Sequence, residues 1–228
     1  MKRNANTPQL KEVEHPPSLR EVAKQAIKRG IVENIFKPGE IYNESSLATE
    51  LGMSKTPVRE ALLDLAARGF LTLLPRRGFM VNDLSADDIH NLYEFRWALE
   101  TAIVRLVTAQ LTDKELAKIR KCHHRALEAT RRADLMAYLQ ADRELHYTLA
   151  SLTDNTYMIE ALENVRDLID WMGMKALLRK ERIHEVNQEH AEVIACLERR
   201  DVEGAVQSMA SHVEMTEKNV LAWKNRQG

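Results

Sequence analysis

The sequence predicts a mostly α-helical protein in two parts, a small N-terminal domain that combines helices with a β-hairpin and a larger all-helical bundle. Two observations predict this division. The 228 residues include only 8 Gly and 6 Pro, and these gather in the first third of the chain. Beyond Asp83, apolar residues recur with continuous helical periodicity.

Residues 1–17 are polar, end in Pro16 and Pro17, and are predicted to form a flexible N-terminal arm. A first helix follows, with Ser18 as its N-cap, and ends at the turn over residues 37–40. Two short helices are then predicted over residues 44–51 and 54–68, with Gly52 and Gly69 after their last turns. Two strands, 70–74 and 79–81, complete the order of a winged helix-turn-helix domain over residues 18–82.

Residues 83–228 are predicted to form an all-α bundle of six helices. Ser85 with Asp88, and Thr112 with Glu115, have the spacing of capping boxes. Short connections between helices favour antiparallel neighbours. The six helices are expected near 86–110, 113–131, 135–152, 156–179, 185–199 and 202–222.

Charge is divided unevenly between the two parts. Residues 1–82 carry 13 Lys/Arg against 9 Asp/Glu, whereas residues 83–228 carry 20 against 25. The basic part is the candidate for nucleic-acid binding, although a difference of this size can also arise by chance. No apolar run is long enough for a membrane span or resembles a secretory signal, and the two cysteines lack the spacing of a disulfide framework. These features predict a cytoplasmic protein without a membrane partner.

A group of polar and basic residues opens the second short helix: Ser54, Lys55, Thr56 and Arg59. In a helix-turn-helix motif this end enters the major groove of DNA. Arg76 and Arg77 lie at the predicted hairpin tip, where they could contact phosphate or the minor groove. The alternative is a pair of short helices that binds no nucleic acid, which is common.

The run PGEIYNESSLATELGMSKTPVREALLDLAARGFLTLLPRRGFMV closely resembles the winged-helix domain of the GntR family of transcriptional regulators. The resemblance implies that Lys55, Thr56 and Arg59 touch operator DNA and that Gly78 is the glycine at the tip of the wing. Lys55 replaces the arginine usual in the family. Because lysine lacks the bidentate fork of arginine, phosphate contact at this position is expected more than base readout.

Three histidines and one carboxylate fall on the apolar faces of three predicted helices: Asp142, His146, His190 and His212. A buried carboxylate needs a cation or a hydrogen bond as its partner. On the residues alone, a metal site and a set of satisfied core histidines remain equally open.

The segments DRELHYTLASLTDN and EHAEVIACLERRDVEGAVQSMASHVE resemble the FCD effector domain of the FadR subfamily, and six helices favour its VanR-like branch. The resemblance implies that Asp142, His146, His190 and His212 hold one divalent metal per chain. Zn²⁺, Ni²⁺, Mn²⁺ and Fe²⁺ are all compatible with these ligand types. It also implies a pocket for a small organic acid, so residues 83–228 are the expected metal-binding, effector-binding and dimerisation domain.

Arg96 interrupts the apolar stripe of the first bundle helix and is therefore expected to point inward, where it could bind an effector carboxylate. An internal ion pair with Glu100, one turn along, is the alternative. Together these features predict a homodimeric regulator, not an enzyme, that binds palindromic double-stranded operator DNA. The rival hypotheses are a metalloenzyme, a metal sensor, and a module whose helices only dimerise.

Overall fold

The computed structural model describes residues 16–176 and 180–226. The chain divides into two compact units at the junction between Asn82 and Asp83. Most of the predicted N-terminal arm, residues 1–15, lies outside the described residues, and Pro16 and Pro17 have no regular secondary structure. The predicted fold class, a winged helix-turn-helix unit and an all-α unit, is confirmed.

The described residues of the first unit, 16–82, form three helices and three short strands. Ser18 caps the first helix through its side chain, and Asn43 caps the second, which sequence reasoning did not identify. Gly52 and Gly69 both have positive φ after the helices that they end. The elements are α1 (Leu19–Val32), β1 (Ile41–Tyr42), α2 (Glu44–Glu50), α3 (Lys55–Ala67), β2 (Leu71–Leu74) and β3 (Gly78–Val81).

The strands form an antiparallel sheet in the order β1-β3-β2, in which Leu74 pairs with Gly78 across the hairpin. β1 was not predicted, and it pairs Tyr42 with Phe79 on the other side of β3. Gly78 has a φ of +120°, and a Cβ there would lie 2.0 Å from the carbonyl oxygen of Tyr42. Glycine is therefore required by the close approach of β1 to the hairpin.

The second unit is built from six helices within its described residues. They are α4 (Ala86–Gln110), α5 (Asp113–Arg131), α6 (Leu135–Ser151), α7 (Thr156–Ala176), α8 (Lys180–Glu198) and α9 (Val202–Lys224). Both predicted capping boxes are present, at Ser85 and at Thr112. The predicted start of α8 at residue 185 is wrong, because the helix begins five residues earlier, and the predicted end of α7 at residue 179 lies outside the described residues.

The core of the second unit is formed by the inward faces of these helices, with buried Ile103, Leu149, Leu197 and Val213 among its apolar members. Unusually, the same interior holds arginines, carboxylates and histidines that are almost fully buried. Since buried charges are costly unless they are paired, this polar interior is the natural place to look for a site. None of the helices in the described part of the chain is long and apolar enough to cross a membrane.

Candidate functional site

The N-terminal end of α3 presents the polar residues that the sequence singled out. Ser54, Lys55, Thr56 and Arg59 are all exposed. Ser54 occupies the N-cap position, but its side chain makes no capping hydrogen bond. Arg59 is held loosely, since Nη1 lies 3.4 Å from Oε2 of Glu44 and 68% of its side chain is exposed. This end of α3 therefore offers hydroxyl groups, cations and the positive end of a helix dipole to solvent.

The hairpin tip adds two further cations to the surface of the first unit. Arg76 and Arg77 are exposed between β2 and β3, and Arg76 has a φ of +63°. Gly78, half-buried beside them, serves the packing of the sheet as described above. The unit thus combines an exposed helix end with a hairpin that carries arginines, which is the arrangement of a winged-helix DNA reader.

The second unit brings His146 of α6, His190 of α8 and His212 of α9 into one cluster. One nitrogen of each lies within 4.8 Å of the others, so the three could hold one metal ion. All three residues are at most 2% exposed. The ring centroids are separated by 5.1 Å for His146 and His190, 5.3 Å for His146 and His212, and 4.6 Å for His190 and His212.

Two of the three imidazoles are oriented by carboxylates. Nδ1 of His146 is hydrogen-bonded to Oε2 of Glu100, and Nδ1 of His212 lies 2.8 Å from Oε2 of Glu189. Because a carboxylate only accepts, both rings carry a proton on Nδ1, and Nε2 of His212, which accepts from Arg96, is the unprotonated nitrogen of that ring. Nε2 of His146, like both ring nitrogens of His190, has no hydrogen-bond partner among the described residues.

Asp142, the fourth predicted ligand, lies at the edge of the histidine cluster. Its Oδ1 is 3.7 Å from Nε2 of His190, while Oδ2 accepts a hydrogen bond from Nη2 of Arg166. Burial alone would raise the pKa of Asp142, but Arg166, and after it the histidines, hold that pKa well below its usual range. The carboxylate is therefore anionic, with Oδ1 facing His190.

Arg96 points inward, as its position in the stripe predicts, and is 1% exposed. It forms the ion pair with Glu100 that was the alternative interpretation, with Nε 2.6 Å from Oε1. Its Nη2 also lies 3.1 Å from Nε2 of His212, so the arginine reaches the histidine cluster as well. Its Nη1 has no hydrogen-bond partner in the part of the chain that the structure describes.

Two buried arginines of this cluster, Arg166 and Arg182, and the half-buried Glu189 were missed by sequence reasoning. Arg182 of α8 holds Glu189, with Nη2 3.0 Å from Oε2, and its Nη2 also lies 3.2 Å from Oγ1 of Thr216. Arg182 and Glu189 are seven residues apart and so share a helix face, which could have signalled the pair. The late predicted start of α8 placed Arg182 outside the helix and hid that spacing.

Burial and neighbouring charges set the protonation states inside the cluster. Burial lowers the pKa of His190 well below its usual value, and the neighbouring His212 lowers it further. Burial likewise lowers the pKa of His212 well below its usual value, with Arg96 acting in the same direction. Burial opposes the ionisation of Glu100, yet Arg96 and then His146 bring its pKa well below the normal value.

These donors suit a divalent transition metal. Imidazole nitrogens and one anionic carboxylate oxygen are the ligand types that Zn²⁺, Ni²⁺, Mn²⁺ and Fe²⁺ share. Carboxylates behind the histidines complete the usual arrangement around such an ion. Buried nitrogens without partners are unfavourable in an empty interior, and a bound cation would satisfy them.

Profiles of known families match both units. Residues 19–81 match the profile of "Bacterial regulatory proteins, gntR family", and residues 91–215 match that of the FCD domain. The second match alone covers more than half of the chain.

Relatives with known names agree with these matches. The Nta operon transcriptional regulator of Aminobacter aminovorans is 34% identical over 157 residues, which are 65% of this chain and 73% of the relative. The HTH-type transcriptional regulator YdhC of Bacillus subtilis is 29% identical over 191 residues, covering 82% and 84% of the two chains. Both are named as regulators of transcription and neither as an enzyme.

A solved structure shows the same fold. Escherichia coli McbR/YncC superposes with a TM-score of 0.76 at 23% sequence identity, over 93% of this chain and 100% of that one. The histidine cluster lies inside the region that matches the FCD profile, and the exposed end of α3 lies inside the region that matches the gntR profile. The chain is a DNA-binding transcriptional regulator rather than an enzyme, and it belongs to the GntR family, in the FadR subfamily defined by the FCD domain.

Proposed function

We propose that this regulator holds one divalent metal per chain at Asp142, His146, His190 and His212, and that the metal positions a small carboxylate-type metabolite that changes operator affinity. The observation that supports this most strongly is the convergence of three buried imidazoles whose nitrogens could share one ion. The metal would supply Lewis acidity and an open coordination position, while the protein orients the ligands and excludes water.

For DNA recognition, we propose that Ser54, Lys55, Thr56 and Arg59 enter the major groove and that Arg76 and Arg77 contact the backbone or the minor groove. Their exposure and their place in the winged-helix unit support this assignment. We assign Gly78 the indirect role of shaping the hairpin, because the carbonyl oxygen of Tyr42 leaves no room for a Cβ at this position. The operator is proposed to be palindromic and the regulator a cytoplasmic homodimer, because a single recognition helix reads too few base pairs for specificity.

The charge of the cluster favours an anionic effector. Three buried arginines are matched by three buried or half-buried carboxylates: Arg96 by Glu100, Arg166 by Asp142, and Arg182 by Glu189. With neutral histidines the cluster is close to electroneutral, so a divalent cation would leave it positively charged. An organic acid that coordinates the ion would restore the balance.

Hydroxyl groups near the cluster point to a polar ligand with acceptor atoms. The hydroxyls of Tyr93 and Tyr138 are buried and have no hydrogen-bond partner among the described residues. Burial raises the pKa of Tyr138 well above its normal value, so this hydroxyl stays protonated and can donate. An oxygen-rich acid would provide the missing acceptors.

Arg96 is proposed as a carboxylate-binding residue whose availability depends on the metal. A metal that coordinates Nε2 of His212 must replace the hydrogen bond from Nη2 of Arg96, because that nitrogen has one lone pair. Nε of Arg96 would stay anchored to Glu100. The two terminal nitrogens would then be free to bind a carboxylate in a bidentate manner.

The test compares wild-type protein with His212→Ala and with His124→Ala, in which an exposed histidine away from the cluster is replaced. Each protein is purified without chelator, analysed for metal, and then screened by thermal shift against mono-, di- and tricarboxylates. We expect one metal per chain in the wild type and in the control, and little in His212→Ala. An acid that raises the melting temperature should do so only for metal-loaded protein.

The same acid should change affinity for a DNA duplex selected by the wild-type protein by about 5- to 150-fold, the usual range of allosteric coupling. Equal binding of acids to wild-type protein and to His212→Ala, with no stoichiometric metal in either, would show that the histidines are only core residues. If the metal alone produced the whole change in DNA affinity, the protein would be a metal sensor instead.

A further inference from the structure

We propose that Glu100 and Glu189 are positioning residues that set metal affinity, because each fixes the ring orientation and tautomer of one histidine from behind. The inference rests on the proposed metal site and goes beyond its four ligands. The supporting observation is that two hydrogen-bonded triads, Arg96–Glu100–His146 and Arg182–Glu189–His212, converge on the cluster, all of their side chains being buried except that of half-buried Glu189.

The first triad joins two residues of α4 to one residue of α6. Arg96 donates from Nε to Oε1 of Glu100 at 2.6 Å, and the other oxygen of Glu100 accepts from Nδ1 of His146. The side chains of Arg96, Glu100 and His146 are all at most 3% exposed. One oxygen of the carboxylate thus holds the cation and the other holds the imidazole.

The second triad joins two residues of α8 to one residue of α9. Arg182 donates from Nη1 and Nη2 to the two oxygens of Glu189, and Oε2 of Glu189 accepts from Nδ1 of His212 at 2.8 Å. The hydrogen bond between Arg96 and Nε2 of His212 fixes the same tautomer independently, since a guanidinium only donates. In both triads the carboxylate therefore holds Nδ1–H, so that Nε2 is the ring nitrogen left for a metal.

This arrangement has two consequences for metal binding. A carboxylate on Nδ1–H makes the imidazole a stronger electron donor, and it removes the free-energy cost of selecting one tautomer and one rotamer when the ion arrives. The arginine behind each carboxylate keeps the buried negative charge compensated. His190 differs, because neither of its nitrogens has a hydrogen-bond partner within the described part of the chain, so its orientation depends on packing.

The experiment measures Zn²⁺ affinity by competition with a chromophoric chelator for the wild type, Glu189→Gln and Glu100→Gln. Glutamine keeps the shape of the side chain but loses the charge, and it can also present its NH₂ group to the ring. Both substitutions should weaken Zn²⁺ binding about 10- to 100-fold. Glu185→Gln is the matched control, since Glu185 also contacts Arg182, at 3.2 Å, but is half exposed and touches none of the three histidines.

The double variant Arg182→Gln/Glu189→Gln tests whether Glu189 affects Zn²⁺ affinity only by neutralising Arg182, because it removes the cation together with the anion. If Glu189 serves only to neutralise Arg182, the double variant should regain wild-type Zn²⁺ affinity. If it positions His212, the affinity should stay low. In addition, ¹⁵N NMR of metal-free protein should show the proton of His146 on Nδ1 in the wild type and a mixture of tautomers in Glu100→Gln, because Nε2 of His146 has no hydrogen-bond partner among the described residues that would fix the tautomer instead.

Two results would overturn the inference while leaving the metal site intact: equal Zn²⁺ affinity in Glu189→Gln and Glu185→Gln, or an unchanged His146 tautomer in Glu100→Gln. Failure of the wild type to bind stoichiometric Zn²⁺ or any other tested divalent metal would instead contradict the proposed metal site itself. The two failures are therefore distinguishable.

Discussion

At the scale of single residues, the histidine cluster predicts how stability depends on pH. His190 and His212 have lowered pKa values in the folded protein, burial being the main cause for both. In the unfolded chain they bind protons below about pH 6.5. Stability of the metal-free protein should therefore fall as pH drops below about 6.5, by up to about 1.4 kcal/mol per pH unit for each histidine that stays neutral.

The free energy of unfolding is measured with urea on chelator-treated protein between pH 5 and 8. This range lies above the pH at which Glu100 and Asp142 lose their contribution to stability. Their lowered pKa values give stability that disappears only below about pH 4. His212→Gln should show a shallower loss than the wild type, whereas exposed His124→Gln should retain the wild-type slope. Identical slopes in all three proteins would mean that His212 is protonated in the folded state.

The candidate ligands could be found from sequence because each lies on an apolar stripe of its own helix. Asp142 and His146 are four residues apart on α6, so their common face follows from helical geometry alone. The pairing of Arg166 with Asp142 could not be found in this way, because it joins α7 to α6 across 24 positions. Contacts between helices depend on tertiary packing, which no local period encodes.

At the scale of elements, the wing, which is the hairpin of β2 and β3 with β1 beside it, shows which strands a local sequence pattern can predict and which it cannot. β1 has two residues, too few for the alternation that identifies a strand, and so only its pairing with β3 in the folded unit reveals it. The same pairing explains Gly78, whose missing Cβ leaves room for the carbonyl of Tyr42. The hairpin itself was predicted because Pro75 and Gly78 bracket its turn.

Replacing Gly78 with Ala should therefore loosen the wing. The substitution adds a steric clash with Tyr42 to the cost of a strained backbone, which is about 1–3 kcal/mol by itself. Hydrogen–deuterium exchange should rise in peptides that cover β1 and β3, and DNA affinity should fall. Gly39→Ala is the control, because Gly39 also has positive φ, +78°, but has no atom within 4 Å of an added Cβ.

Equal exchange in the two alanine variants would contradict this explanation of Gly78. It would mean that the wing tolerates a shift of β1, and that the glycine serves only the backbone conformation. A loss of DNA affinity without any change in exchange would instead favour a direct contact between Gly78 and DNA.

At the scale of the whole molecule, the two units carry different chemistry. The first unit presents exposed cations at α3 and at the hairpin, whereas the second buries matched charges in its interior. Both units could be predicted from sequence because continuous helical periodicity begins after Asp83, whereas all the Pro and most of the Gly residues lie before it. In the proposed homodimer, an effector bound in the second unit would alter DNA binding by preferring one arrangement of the two-fold assembly over another.

We expect that assembly to be a homodimer. A dimer doubles the DNA contact of one recognition helix and imposes two-fold symmetry on its site. The second unit offers a candidate surface on α4, where large Phe95 and Leu106, 49% and 46% exposed, lie on one face with the small side chains of Ala98 and Ala102 between them. A second copy of the chain could pack closely against such a stripe.

Light scattering of the free protein should give twice the chain mass of 26.2 kDa, and a palindromic duplex should bind two chains. Leu106→Glu should place a charge on the α4 face, yield monomers and weaken binding to the whole palindrome far more than binding to a half-site. Met136→Glu, which changes a residue that is 66% exposed on α6, should remain dimeric. One wild-type chain per palindrome would exclude the dimer, whereas a dimeric Leu106→Glu would move the interface away from α4.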